Sequence, residues 1–134
     1  MRSPRRTERG PDDRALGGRS VGSRGESAAI EALRATGHRI EGRNLRTRHG
    51  EIDVLARVGR TWIAVEVKTR CGDPAPERCV TDEQLARVGR ALAALAPRLR
   101  PRPRCLRVDV IAVRLAAGRP AEIRHWPGTP SRPL

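Results

Sequence analysis

The chain has no phenylalanine and no tyrosine, and Trp62 and Trp126 are its only tryptophans. Sheet surfaces that stack unpaired bases need several exposed rings, so that mode of nucleic-acid recognition is poorly supplied. Cysteine is scarce and odd in number, with Cys71, Cys79 and Cys105 forming no closely spaced pair. This disfavours a disulfide framework or a zinc site and fits a reducing, cytoplasmic location. His38, His49 and His125 are scattered, without the two-histidine spacing of a helical metal motif. No apolar run nears the roughly 20 residues of a membrane span, and no signal-peptide core is present, so no membrane partner is expected. Glu8, Asp12 and Asp13 argue against reading the Arg-rich start as a transit peptide. Lysine is the rarest of the charged residues: of the 28 Lys and Arg positions, Lys68 alone is lysine.

Arginine, by contrast, is abundant. The formal charge of +13 and a pI near 11.6 point to a polyanion partner, most simply nucleic acid. A compositional bias explains why the base is arginine, but not the excess over 15 acids. Phosphate contacts and duplex shape are the expected modes of recognition. At 134 residues the chain suits one small domain with a single modest core.

The stretch from Glu51 to Arg70 organises the rest. Residues 51–58 and 61–70 alternate and are rich in Val and Ile, as half-buried strands are, with Gly59-Arg60 between them as a type II′ turn. That turn predicts a hairpin whose partner numbers sum to 119. Ile52, Val54 and Ala56 then share an apolar face with Val67, Val65 and Ile63. On the other face Glu51 meets Lys68, Asp53 meets Glu66, Leu55 meets Ala64 and Arg57 meets Trp62. Like charges directly opposite are destabilising, and a hard divalent cation between Asp53 and Glu66 removes the conflict. Lys68 projects onto the same face because strand side chains have a period of two. Two carboxylates and a lysine suit metal-dependent phosphodiester cleavage; a salt-bridged solvent face is the plain alternative. Sparing one lysine in an arginine-biased chain favours chemistry, since arginine cannot relay a proton near neutral pH.

Around this hairpin the chain divides into a basic disordered tail over residues 1–22, a domain over 23–127 and a Pro-rich tail over 128–134. Arg24 to Thr36 has helical spacing, with Ala28, Ala29, Ala32, Leu33 and Ala35 as its apolar stripe and Gly37 as its cap. Glu26 in the first turn is either a helix-dipole charge or a third carboxylate aimed at the metal face. His38 to Arg46 reads as a strand on Ile40 and Leu45. Residues 71–78, with Pro74 and Pro76, form a loop long enough to overhang the site. Thr81 and Gln84 make a capping box for a helix buried through Leu85, Val88, Leu92 and Leu95. Arg87 and Arg90 on its other face are candidate phosphate contacts. Residues 97–104 alternate Pro and Arg and cannot be helical, leaving either a spacer or a second phosphate-binding strip. Cys105 to Leu115 reads as a covered central strand in which Asp109 and Arg107 form a structural ion pair. Ala121 to Trp126 is an edge strand. The order helix, three strands, helix, two strands predicts an α/β sandwich on a mixed sheet.

These residues also carry a resemblance. Gly25-Glu26, Gly37, Arg43-Asn44, Gly50-Glu51-Ile52-Asp53, Val65-Glu66-Val67-Lys68-Thr69-Arg70, Val80-Thr81 and Arg107-Val108-Asp109-Val110 resemble the YraN-like family of small bacterial proteins, over residues 22–127. That family is similar to the restriction-endonuclease-like superfamily, including its Holliday-junction resolvases. The resemblance implies an α/β fold with an αβββαβ core, its mixed central sheet flanked by helices. It implies Asp53, Glu66 and Lys68 as catalytic residues, and a Mg²⁺ ion, or Mn²⁺ in its place, held by Asp53, Glu66, the Val67 carbonyl and Glu26. Arg43, Arg70, Gln84, Arg87 and Arg90 are the expected nucleic-acid contacts, although the family usually carries lysine where this chain has Gln84. The expected function is metal-dependent endonuclease action on DNA, on branched or structure-marked sites. Two-fold symmetric substrates make a homodimer natural. The competing expectations are a non-catalytic nucleic-acid-binding module of the same fold, and a small basic ribosome-associated protein.

Overall fold

The computed structural model describes residues 17–70 and 80–133. The expected loop at 71–78, Cys71 and Cys79 therefore lie outside the described residues. Helix α1 (Gly17–Ala35) leads into strands β1 (Arg39–Thr47), β2 (Gly50–Val58) and β3 (Thr61–Arg70), then helix α2 (Asp82–Leu95), strand β4 (Cys105–Arg114) and strand β5 (Glu122–Trp126). The five strands form one sheet in the order β1-β2-β3-β4-β5, with only β3 and β4 parallel. The α2 crossover between these parallel neighbours is what their common direction requires. The predicted element order thus holds, and the fold is a mixed α/β one with a mostly antiparallel sheet.

Both faces of the sheet are covered. Against α1 pack Val54, Ala56, Ile63, Val65, Val67, Ile111 and Val113, meeting Ala29, Ile30 and Leu33. Against α2 pack Ile52, Leu55, Trp62, Ala64 and Leu106, meeting Val88, Ala91 and Leu92. Helix α1 begins seven residues earlier than the expected Arg24, so residues 17–22 are helical and not tail. Its buried stripe runs through Gly25, Ala29, Ile30 and Leu33, while Ala35 is exposed. Ile30 replaces the expected Ala35 because the larger side chain buries more apolar area per residue fixed. Thr81 caps α2 by accepting from the Gln84 backbone, and Gln84 returns the bond to the Thr81 backbone.

The C-terminal stretch after β5 is tied to the sheet. Ser131 exchanges two backbone bonds with Leu106, at 2.7 and 2.9 Å, and Gly128 donates to Asp109. An added Cβ on Gly128 would overlap the Val108 carbonyl, so only glycine lets the chain lie this close. Asp109 is wholly buried and accepts from Arg107 Nε at 2.8 Å, Arg107 Nη2 at 3.0 Å, His125 Nε2 at 2.7 Å and the Gly128 amide at 2.9 Å. The structural ion pair expected there is present, with two further partners that the sequence did not reveal.

Candidate active site

The predicted hairpin register holds from Val58–Thr61 to Val54–Val65, every pair summing to 119. Gly59 has φ +58° while Arg60 does not enter the positive region, as a II′ turn requires. Beyond Val54–Val65 the pairing stops. Strand β2 continues with β1 to Gly50–Thr47, and β3 continues with β4 to Arg70–Arg114. The expected cross-strand pairs Ile52–Val67, Asp53–Glu66 and Glu51–Lys68 are therefore absent, and Ile52 packs on the α2 side, not with Val54.

The cause lies one strand over. Asn44 takes φ +53°, a conformation asparagine tolerates better than most residues, and it falls between the pairs Arg43–Val54 and Leu45–Ile52, opposite Asp53. The kink turns Arg43 towards α1 and leaves Leu45 with the α2 cluster. Where the β2–β3 ladder ends, the freed Val67 N–H donates to Asp53 Oδ2 at 2.9 Å. Asp53 thereby sits at the apex of the opening between β2 and β3, its side chain doing what a backbone carbonyl does elsewhere in the sheet.

Burial pushes the Asp53 carboxyl up to about 7. The Val67 N–H opposes that rise, while the negative charges of Glu66, Glu26 and Glu51 reinforce it. Trp62, Ala64, Glu66 and Lys68 alternate onto the α2 side of β3. Lys68 Nζ lies 3.3 Å from Glu66 Oε2, and their side chains are only 22% and 15% exposed, so this pair is shielded from water more than a surface salt bridge. Glu26 lies midway along α1 and not in its first turn as expected, because the helix starts at Gly17, so it is not a helix-dipole charge. Its Oε1 accepts from Arg43 Nε at 3.3 Å, and Arg43 and the nearby Asn44 side chain favour its charged form. Burial raises the Glu26 carboxyl despite Arg43 beside it. The helix reaches this position because Gly25 lets it touch β3: an added Cβ would overlap Thr69 Oγ1. Glu51 turns to Arg46, 3.3 Å away, rather than to Lys68.

Among the described residues no group of three or more His, Cys, Asp or Glu side chains converges tightly enough to hold a metal. The donor set at the opening is two carboxylates, Asp53 and Glu66, with the Val67 carbonyl nearby in sequence. That set fits Mg²⁺, which is commonly bound through one or two carboxylates, with waters and substrate phosphates completing its shell. A carboxylate raised by burial and by other acids is also where a dication relieves the most repulsion. Glu26, held by Arg43, is placed to act through water more readily than directly.

The expected nucleic-acid contacts do not form one cluster. Arg43 is committed to Glu26, Ser23 and Ser27. Arg70 bonds the Thr69 carbonyl, and the Gln84 side-chain oxygen is used by the capping box. Arg87 lies over Gly50, whose added Cβ would come within 3.1 Å of Arg87 Cδ. Arg90 is exposed on α2. Asn44 is the positioning residue that periodicity missed; an asparagine within a strand pattern was the available signal.

Comparison with known proteins places this geometry in a lineage. Residues 25–113 match the family described as Uncharacterised protein family UPF0102. The chain is 44% identical to the UPF0102 protein of Leifsonia xyli subsp. xyli over 110 residues, covering 81% of this chain and 93% of that one. It is 36% identical to the UPF0102 protein of Geobacter metallireducens over 115 residues, 84% and 93% of the two chains. The Symbiobacterium thermophilum UPF0102 protein is 43% identical over 97 residues, 71% and 82% of the two. The chain belongs to the UPF0102, YraN-like family of bacterial proteins.

Proposed function

We propose that this protein is a Mg²⁺-dependent nuclease that cleaves phosphodiester bonds in DNA, with a site like that of the restriction-endonuclease-like superfamily. The observation that carries the reading is Asp53 at the end of the β2–β3 ladder, its carboxyl raised to about 7, beside a Glu66 that is itself paired to the only lysine. The order helix, three strands, helix, strand, with an Asp and then Glu-x-Lys, supports the same likeness.

Asp53 and Glu66 would hold the ion, with the Val67 carbonyl, and Glu26 would reach it through water. When bound, Mg²⁺ polarises the scissile phosphate and lowers the pKa of a coordinated water. Lys68 stands on the Glu66 side of the opening, where its ammonium balances the charge that develops on the phosphoryl oxygens. An amine held there can also exchange a proton with the attacking water, which arginine cannot. Arg87, over the β1–β2 turn, and Arg90, one turn further along α2, are placed to take backbone phosphates. Branched DNA with two-fold symmetry would engage two copies of the chain.

The test is cleavage of duplex, flapped and four-way DNA with Mg²⁺ or Mn²⁺. Asp53→Ala and Lys68→Ala are expected to lose cleavage by at least a hundredfold and to keep DNA binding. A wild-type protein inert on every substrate would sink the nuclease reading. Full function in Lys68→Arg would favour a binding module instead, because the 3.3 Å pair with Glu66 satisfies either cation.

A further inference from the structure

The Pro/Arg stretch after α2 is not a slack spacer, and its first two residues, expected to be non-helical, lie in a 3-10 turn over Ala96–Arg98, which tolerates proline in its first positions. Trp62 Nε1 donates to the Pro101 carbonyl at 2.9 Å, and Arg60 Nε donates to the Arg102 carbonyl at 2.7 Å. The Arg104 amide donates to the Arg60 carbonyl at 2.8 Å, and Arg100 folds back on the Pro97 and Leu99 carbonyls. The backbone is pinned, while the side chains of Arg98, Arg102 and Arg104 are exposed. Among the described residues no ion pair engages these three arginines, although Arg39, Arg43, Arg46, Arg57, Arg107 and Arg114 all have carboxylate partners. Arg102, Arg104 and Arg132 line a groove of about 730 Å³ together with Leu92, Ala96 and Leu106.

We infer that this strap is a second phosphate-backbone site, which grips nucleic acid away from the acidic opening. The 3-10 turn at Ala96–Arg98, the prolines and these anchoring bonds fix the backbone, so its arginines are presented with little backbone entropy left to lose on binding. Exposed guanidiniums with no carboxylate partner, carried on a pinned backbone, suit the phosphates of a nucleic-acid chain. The strap is anchored by Trp62, which shares the α2 side of β3 with Glu66 and Lys68. At about 3.3 Å per strand residue, the four to six residues from Trp62 to those side chains span roughly 13–20 Å. One duplex can therefore lie along α2, past Arg90 and Arg87, and touch both ends about 4–6 base pairs apart, at 3.4 Å per base pair. The inference rests on nucleic acid as the ligand of the proposed function, not on cleavage.

The test measures binding of the full chain to a 20-base-pair duplex in EDTA, across a salt series. The triple variant Arg98→Gln/Arg102→Gln/Arg104→Gln is compared with Arg34→Gln/Arg39→Gln/Arg119→Gln, which removes equal charge elsewhere. Circular dichroism and thermal melting confirm that both variants fold. Each lost phosphate contact reduces the log–log salt slope by about 0.9. The strap variant is expected to lose about 2–3 from the slope and at least tenfold in affinity, uniformly across sequences, with the control changed less than threefold. Equal losses in both variants would reduce the effect to net charge and overturn the inference. So would an unchanged strap variant, or one that lost binding to polyglutamate while holding duplex normally. Binding without cleavage in the wild type would leave the strap standing and remove the nuclease; cleavage with an indifferent strap would do the reverse.

Discussion

Asp53 should destabilise the fold at the pH where it would work. Its carboxyl rises from an ordinary 3.8 to about 7, because burial outweighs the Val67 N–H and three neighbouring acids add repulsion. Between those two values the native state keeps a proton that the unfolded chain has already released, so stability falls as pH climbs through the window and is level above it. The full rise corresponds to roughly 4 kcal/mol, at about 1.4 kcal/mol for each pH unit. Partial solvent access to the side chain reduces the expected effect to about 1–3 kcal/mol. Asp53→Asn removes the charge and keeps an oxygen for the Val67 N–H. It is expected to be more stable than wild type by that amount at pH about 8.5, and no more stable at pH about 4. For a domain of this size the gain is a Tm rise of roughly 4 °C or more. The assay is thermal or urea unfolding of both proteins across pH, repeated with Mg²⁺, which should stabilise only wild type at high pH. If Asp53→Asn were no more stable than wild type at high pH, or if wild-type stability rose from pH about 5 to 8, the carboxylate would not be strained and the argument for a cation there would fail.

Two further perturbations probe the supports of the site. Gly25→Ala gains up to about 1 kcal/mol of helix propensity but drives a methyl into Thr69, for a net loss of about 1–3 kcal/mol. The added change Thr69→Ala should restore most of it, and an additive double mutant would refute the contact. Asp109 is held below the usual carboxylate range: burial alone would raise it, but Arg107, the Gly128 amide and His125 together outweigh burial. Its contribution is thus complete above the ordinary carboxylate pKa and lost as pH falls through the lower native value, the opposite sign to Asp53. Asp109→Ala strands Arg107 and should cost about 3–5 kcal/mol in urea unfolding, with the acid limb of the stability profile flattened; a loss under about 1 kcal/mol would refute a buried network.

Local pattern carried most of the fold. It located all five strands to within a residue, the capping box located α2, and the II′ turn set the hairpin register over every pair that forms. The start of α1 escaped because Gly17, Gly18 and Gly22 are weak helix formers and no sharp N-terminal signal precedes them. The Arg107 pairing of Asp109 was legible, two residues away on the same strand, but His125 and Gly128 escaped because they reach it from β5 and the stretch beyond. Within the site, the residue types were legible and their arrangement was not. Period-two reasoning brought Glu66 and Lys68 together correctly, then carried the ladder three residues too far on the β2 side.

That overshoot has a physical reason that also explains why the site exists. An uninterrupted ladder would set Asp53 and Glu66 face to face and leave the polar opening closed by backbone bonds. Two partners pull the strands instead: β1 holds β2 through Thr47–Gly50, and β4 holds β3 through Arg114–Arg70. Neither pull is visible in the hairpin's own sequence, since each depends on a strand elsewhere in the chain. Asn44 at φ +53° absorbs the mismatch in β1, next to the Arg43 that holds Glu26. The parting of the strands, the orphaned Val67 N–H and the raised Asp53 carboxyl are therefore one structural event seen at three atoms. A hairpin pattern that places like charges opposite each other marks the point where pairing ends, and so where the sheet can open to a cation.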